Sequence, residues 1–267
     1  MDSHLILVFI FTTIVHFVAT LAYSVRLVAI QTGKLAISLA LFNIMVLVSR
    51  TANAFQGPLL GKKIDHDLAT GVLGHAGAQF HWFIWAASLG TLMGALFIPT
   101  FQGVFAKFVL RFNIERSVPK IILHGFSKIG VKQIRSNLKI PSKHAIHQLK
   151  LFRELPKRIL VLHTGTVSLL TVGTFAALYA TYLNPNLRVT CSNLSPVVNG
   201  LATVMLVLFV DPFFSLLTDD VFEGKRSVHF FHQCLVAMVV TRFIGTLIAQ
   251  LLLDPAARFI VFVAGRL

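Results

Sequence analysis

The chain has 267 residues, of which 55% are hydrophobic and only 13% charged, with a mean hydropathy of +0.77. Those values exclude a soluble globular domain and a disordered chain alike, since both carry more charge for their apolar content. The 24 Lys and Arg against 10 Asp and Glu, a formal net charge of +14, would suggest nucleic acid in a soluble protein. In a membrane protein they pose a topology question instead.

Apolar blocks of about twenty residues suffice to cross roughly 30 Å of hydrocarbon as helices. They predict an all-α polytopic membrane protein with six spans, at 4–28, 35–56, 82–106, 159–183, 196–217 and 229–253. Span one follows Met1 to Ser3, which hold no basic residue, and is too long for the core of a secretory signal, so it is expected to be retained. Span three carries Ala86, Gly90 and Gly94 at every fourth position, a small-residue face for close packing within the chain. Gly103 to Arg158 then holds thirteen of the Lys and Arg against Glu115 and Glu154. Three regions follow: 1–106, 107–158 and 159–267.

Within the basic region Lys120, His124, Lys128, Lys132, Arg135 and Lys139 recur opposite Val118, Ile122, Phe126 and Ile129. That pattern predicts a basic amphipathic helix lying on anionic inner-leaflet lipids. No aromatic interleaving suggests nucleic acid as a partner. The positive charge assigns this segment to the cytoplasm, together with Lys34, Lys225 and Arg226, and both termini to the opposite side with Lys62, Lys63, Arg188, Arg258 and Arg266. Asp65-His66-Asp67 and Cys191 are expected in external loops, and Cys234 near the cytoplasmic end of span six, so the thiols cannot bridge. Two sets of three spans around one linker would have opposite orientations, as in inverted-repeat transporters.

Familiar chemistries are missing from the sequence. There is no Walker A spacing, no complete metal-ligand signature among the eleven histidines and no Gly-x-Ser-x-Gly elbow, so neither a catalytic set nor a cofactor is expected. Polarity inside the membrane stands out instead. Arg26 ends span one, Arg50 lies in the outer part of span two and Arg242 near the middle of span six, where a charge costs several kcal/mol unless paired or facing water. Asp211 and Asp254 are the acids able to neutralise them, with an Asp211–Arg242 ion pair as the plain structural alternative. Three arginines against two acids leave a positive surplus, which suits a phosphate or diphosphate.

The stretches Thr20-Leu-Ala-Tyr-Ser-Val-Arg26, Ser49-Arg-Thr-Ala-Asn53 with Pro58-Leu-Leu-Gly61, Asp211-Pro212 with Thr218-Asp-Asp-Val221 and Glu223-Gly-Lys225, and Arg242-Phe-Ile-Gly-Thr-Leu-Ile-Ala-Gln250 resemble the Amj family of lipid II flippases. The likeness extends through the hydropathy layout over most of the chain. It implies translocation of the undecaprenyl-diphosphate-linked peptidoglycan precursor from the inner to the outer leaflet of the bacterial cytoplasmic membrane, a role similar to that of MurJ. Carried over by position, it singles out Tyr23, Arg26, Arg50, Asn53, Asp211, Asp219, Asp220, Glu223, Arg242 and Gln250.

Charge and depth suggest their roles. Arg26, Arg50 and Arg242 would meet the diphosphate in turn, with Tyr23 beside them. Asn53, Gln56 and Gln250 would hydrogen-bond sugar or peptide, and Asp211 would hold an arginine when substrate is absent. Asp219, Asp220 and Glu223 would form a cytoplasmic gate with Lys225 or Arg226. Two other classes stay open: a membrane enzyme using Mg²⁺ at Asp219-Asp220-x-x-Glu223 to act on a polyprenyl diphosphate, and a scaffold whose basic loop recruits cell-wall proteins. A homo-oligomer is compatible with all three.

Overall fold

The computed structural model describes residues 3–71, 76–115 and 155–267. The described residues are helical, without a strand, and six helical stretches are long and apolar enough to cross a membrane. Helices suit that setting because they satisfy every backbone N–H and C=O internally, where lipid offers no partner. The basic amphipathic helix expected around Lys120 to Lys139 lies outside the described residues, as does most of the 107–158 region.

Span one is α1 (Ser3–Thr32), closed at Gly33, whose φ of 65° is a left-handed conformation that a side chain would strain. Span two is α2 (Leu35–Ala54) running through a turn at Phe55 into α3 (Gln56–Thr70). Span three is α4 (Ala76–Glu115), continuous through Pro99, and span four is α5 (Lys157–Leu183). Span six is α9 (Val228–Ala264), started by Ser227, whose hydroxyl accepts the Phe230 N–H at 3.1 Å. At 1.5 Å per residue α4 and α9 reach ~55–60 Å and must overshoot the hydrocarbon or tilt within it.

Span five is broken. A 3₁₀ turn (Pro185–Leu187), α6 (Arg188–Asn193), α7 (Ser195–Met205), a π turn (Leu206–Val210) and α8 (Asp211–Phe222) follow one another. Pro212 has no N–H to return to the carbonyl four residues back, so the ladder is interrupted where the wide turn occurs.

Several expectations are corrected. Lys62, Lys63 and Asp65-His66-Asp67 belong not to a loop but to α3, because Gln56, Leu60, Ile64 and Asp67 repeat at helical spacing and are buried. Cys191 belongs to α6 and is fully buried, not in an open loop. Span six continues past Asp254 and Pro255 for another nine residues of helix, to Ala264.

Packing follows the same order in both halves. α1 packs chiefly on α4 and then on α2; α5 packs chiefly on α9 and then on α7. The second span of each half is peripheral: 22% of its most apolar stretch is buried, against 44–50% for the other four spans. Leu5, Val8, Phe80, Leu178, Leu253 and Ala264 share one apolar cluster, so both termini lie at the same end of the bundle. Leu27, Leu155, Phe214 and Phe231 share another at the opposite end, here called the loop end. α1 therefore runs towards the loop end and α5 away from it, which gives the halves opposite directions.

The α1–α4 contact depends on missing side chains. A Cβ at Gly90 would come within 2.2 Å of the Thr13 carbonyl oxygen, and one at Gly94 within 2.7 Å of Thr20 Cβ. The small-residue face of span three thus serves packing inside the chain.

Candidate functional site

Between the halves, α4 packs on α9 through apolar side chains, but the side of α1 that meets the second half is of another kind. α1 touches α9 and α8 sparsely, and the space between them is bridged by long polar side chains. Arg26 on α1 is buried, and its Nη2 donates to Asp211 Oδ1 on α8 at 2.8 Å. Its guanidinium also sits between two rings, 4.4 Å from the centroid of Phe42 on α2 and 5.2 Å from that of Phe214 on α8. Such faces attract a cation without neutralising it. The Nε of Arg26 is buried and has no hydrogen-bond partner.

One turn along α1, Tyr23 meets His163 of α5, with Oη and Nε2 2.8 Å apart. The other ring nitrogen of His163, Nδ1, lies 2.8 Å from Thr241 Oγ1 on α9. The adjacent Arg242 donates from Nε to Thr20 Oγ1 on α1 at 3.1 Å, and its Cζ stands 5.9 Å from the centroid of the Tyr23 ring. Arg242 and Tyr23 are part-exposed, whereas His163 is fully buried. Four elements thus contribute to one seam of Arg26, Asp211, Tyr23, His163, Thr241, Thr20 and Arg242.

The plain alternative from the sequence, an Asp211–Arg242 ion pair, is corrected here. Asp211 pairs with Arg26, because the wide turn before it and the direction of α8 bring it to the loop end of α1. Arg242 has hydroxyl and ring neighbours in its place, which stabilise a guanidinium without cancelling its charge. The seam holds two arginines and one carboxylate.

Depth can be read along α1. Arg26 and Thr20, the partner of Arg242, are six residues apart, or ~9 Å at the helical rise. Ser49, which precedes Arg50, donates from its hydroxyl to the Val15 carbonyl at 3.0 Å, a further ~8 Å from Thr20 towards the terminus end. Arg50 itself is exposed on α2 and is not part of the seam.

The remaining predicted residues lie elsewhere. Asn53 donates to Thr174 Oγ1 on α5 at 3.4 Å, within a group that includes Ser195 and Asn199. Gln56 is fully buried and donates to Thr12 Oγ1 at 3.1 Å, a tie between α3 and α1. Gln250 holds His81 of α4 through two contacts, at 2.7 Å to Nδ1 and 3.2 Å to the carbonyl oxygen. Asp219 and Glu223 are exposed at the loop end and border a shallow hollow with Gly33 and Leu35, while Asp220 is half-buried. Glu223 forms an ion pair with Lys225, and its carboxylate raises the ammonium above the usual lysine range. No group of three metal-ligating side chains occurs among the described residues.

His163 and Thr241 are the residues that sequence reasoning missed. A single histidine in an apolar run has no signature, and its partner Tyr23 is 140 positions away. At the terminus end the halves are tied again, by Tyr182 Oη donating to the buried Asp67 at 2.8 Å, with Lys63 on the same carboxylate.

Comparison with known proteins adds two findings. A family model described as "Amj: Alternate to MurJ" matches residues 11–264. A curated relative, "Lipid II flippase Amj" of Bacillus subtilis (strain 168), is 37% identical over 261 residues, covering 97% of this chain and 96% of the relative. No solved structure matches.

Proposed function

The chain belongs to the Amj family, and from that premise we propose that it is a lipid II flippase. It carries the undecaprenyl-diphosphate-linked precursor from the inner to the outer leaflet of the bacterial cytoplasmic membrane, as a transporter rather than an enzyme. The loop end faces the cytoplasm, where the basic segment meets anionic lipid, and both termini face outward.

One observation carries this reading: two guanidiniums stand at different depths at the junction of two antiparallel halves, with a single carboxylate, paired to Arg26, to offset them. Arg26 receives the diphosphate first, exchanging Asp211 for phosphate oxygens with N–H groups that the ion pair leaves unused. Arg242 receives it next, and Arg50 supplies a third cation nearer the outer surface. The prenyl tail stays in lipid, for which the peripheral second and fifth spans leave lateral access. Asn53 and Gln250 contact sugar or peptide, and Asp219, Asp220 and Glu223 act at the cytoplasmic mouth. Gln56, fully enclosed on Thr12, holds α3 in place.

The test is reconstitution. Purified protein in liposomes moves fluorescent lipid II to the opposite leaflet and releases no phosphate, and the gene sustains growth of a bacterium depleted of its other lipid II flippases. Failure to translocate in liposomes, with failure to sustain growth, overturns the proposal.

A further inference from the structure

Thr241 favours one set of hydrogen-bond directions around His163. The Thr241 hydroxyl donates backwards to the carbonyls of Ala237 and Met238, at 2.9 and 3.0 Å. While that hydroxyl keeps its hydrogen on a carbonyl, its oxygen accepts from His163 and Nδ1 is the donor. In the neutral ring of this tautomer Nε2 presents a lone pair, to which the Tyr23 hydroxyl donates. The same Nδ1 donation serves the neutral and the protonated ring, and Tyr23 is the link between Nε2 and the part-exposed side chain of Arg242.

We infer that His163 is a proton-binding site coupled to the diphosphate through Tyr23, so that the transporter takes up a proton when it takes up its substrate. The inference rests on the diphosphate reading above. A phosphate oxygen entering beside Arg242 is a stronger acceptor than imidazole and draws the Tyr23 O–H towards itself. Nε2 then loses its donor and binds a proton from water, and the new N–H donates to the same Tyr23 oxygen. No bond other than to hydrogen is made or broken.

Charge favours the same exchange. The groups facing the ring are Tyr23 and Arg26 from α1, Arg242 from α9 and, through Arg26, Asp211 from α8. His16 on α1 lies farther along, beside Arg242. Two arginines and one aspartate leave a single positive charge, whereas the diphosphate diester of lipid II carries two negative ones. A protonated His163 supplies the second positive charge. In the empty seam that charge would stand between two guanidiniums with only Asp211 to offset them. Proton and substrate therefore each favour the other's binding, by the same factor in both directions.

The experiment is calorimetric titration of the detergent-solubilised protein with lipid II bearing a short prenyl chain, in buffers of different ionisation enthalpy. A diphosphate diester does not titrate near neutrality, so any proton taken up belongs to the protein. Wild type is expected to take up about one proton per lipid, with apparent affinity rising about tenfold per unit fall in pH above the free-state proton affinity. His163→Gln binds without uptake, His16→Gln retains uptake, and Tyr23→Phe, which keeps the imidazole but removes the oxygen its charged form needs, loses more than half.

Binding by wild type without proton uptake overturns the inference and leaves the flippase reading intact. So does uptake that survives in His163→Gln or disappears in His16→Gln. If His163→Gln does not fold, unchanged uptake in Tyr23→Phe overturns it equally. Absence of any lipid II binding by wild type overturns both readings.

Discussion

Helix α1 has two faces that make opposite use of the same helix. One lies against α4 with nothing between the backbones where Gly90 and Gly94 meet Thr13, Phe17 and Thr20. The other faces α5, α8 and α9 across Tyr23 and Arg26, with few close backbone contacts. Close packing in lipid stabilises by dispersion and admits no alternative arrangement. A seam of hydrogen bonds and ion pairs can exchange partners for those of a ligand at modest cost. The α1–α4 contact is therefore the rigid one, and exchange of partners belongs to the polar seam.

Gly90→Val should break the comparison most severely. A Cβ already clashes with the Thr13 carbonyl, and a branched side chain cannot withdraw, so a loss of about 3 kcal/mol or more is expected. It would be measured as loss of the monodisperse species in detergent or a lower midpoint of thermal unfolding. Full stability would show that the α1–α4 face is not rigid.

Arg242→Ala should leave that midpoint nearly unchanged and abolish transport, while Arg242→Lys should restore only part, because lysine keeps the charge but not the planar two-point grip. Equal activity of Arg242→Ala and wild type in the liposome assay would make the residue a packing element.

Asp211→Asn sharpens the distinction within the seam. Removing the carboxylate leaves Arg26 unpaired, costing about 1–3 kcal/mol of stability, yet lipid II should bind at least as tightly because its competitor for the guanidinium has gone. Weaker binding would mean that Asp211 serves the ligand directly. The smallest effect is expected from Asp219→Asn with Asp220→Asn, which lie at the mouth: transport should slow severalfold with stability within about 0.5 kcal/mol of wild type.

How much of this could be read in the sequence depends on range. The spans were legible because hydropathy sums over about twenty neighbours, and the cations because charge in such a run is conspicuous. The continuation of span two into α3 was not, since Lys62, Asp65 and His66 point outward from a helix whose buried face is only every third or fourth residue. The break in span five lies in the apolar run Leu206 to Val210, where only Pro212 beyond it gives a hint. Arg26, Arg242 and Asp211 are legible in the sequence, but the choice of Arg26 over Arg242 as the partner of Asp211 is not, because charge does not say which of two arginines a carboxylate will reach. His163 was invisible, having meaning only beside Tyr23 and Thr241.

The burial of Cys191 and Cys234, at 0% and 2% exposure, makes the unmodified protein a blank for thiol reagents. A single cysteine introduced at Asn186 or Lys225, both exposed and at opposite ends of the bundle, would be read against that silence with every native residue elsewhere kept. In intact cells a membrane-impermeant maleimide should mark Asn186→Cys and spare Lys225→Cys; the reverse would turn the whole molecule over in the membrane.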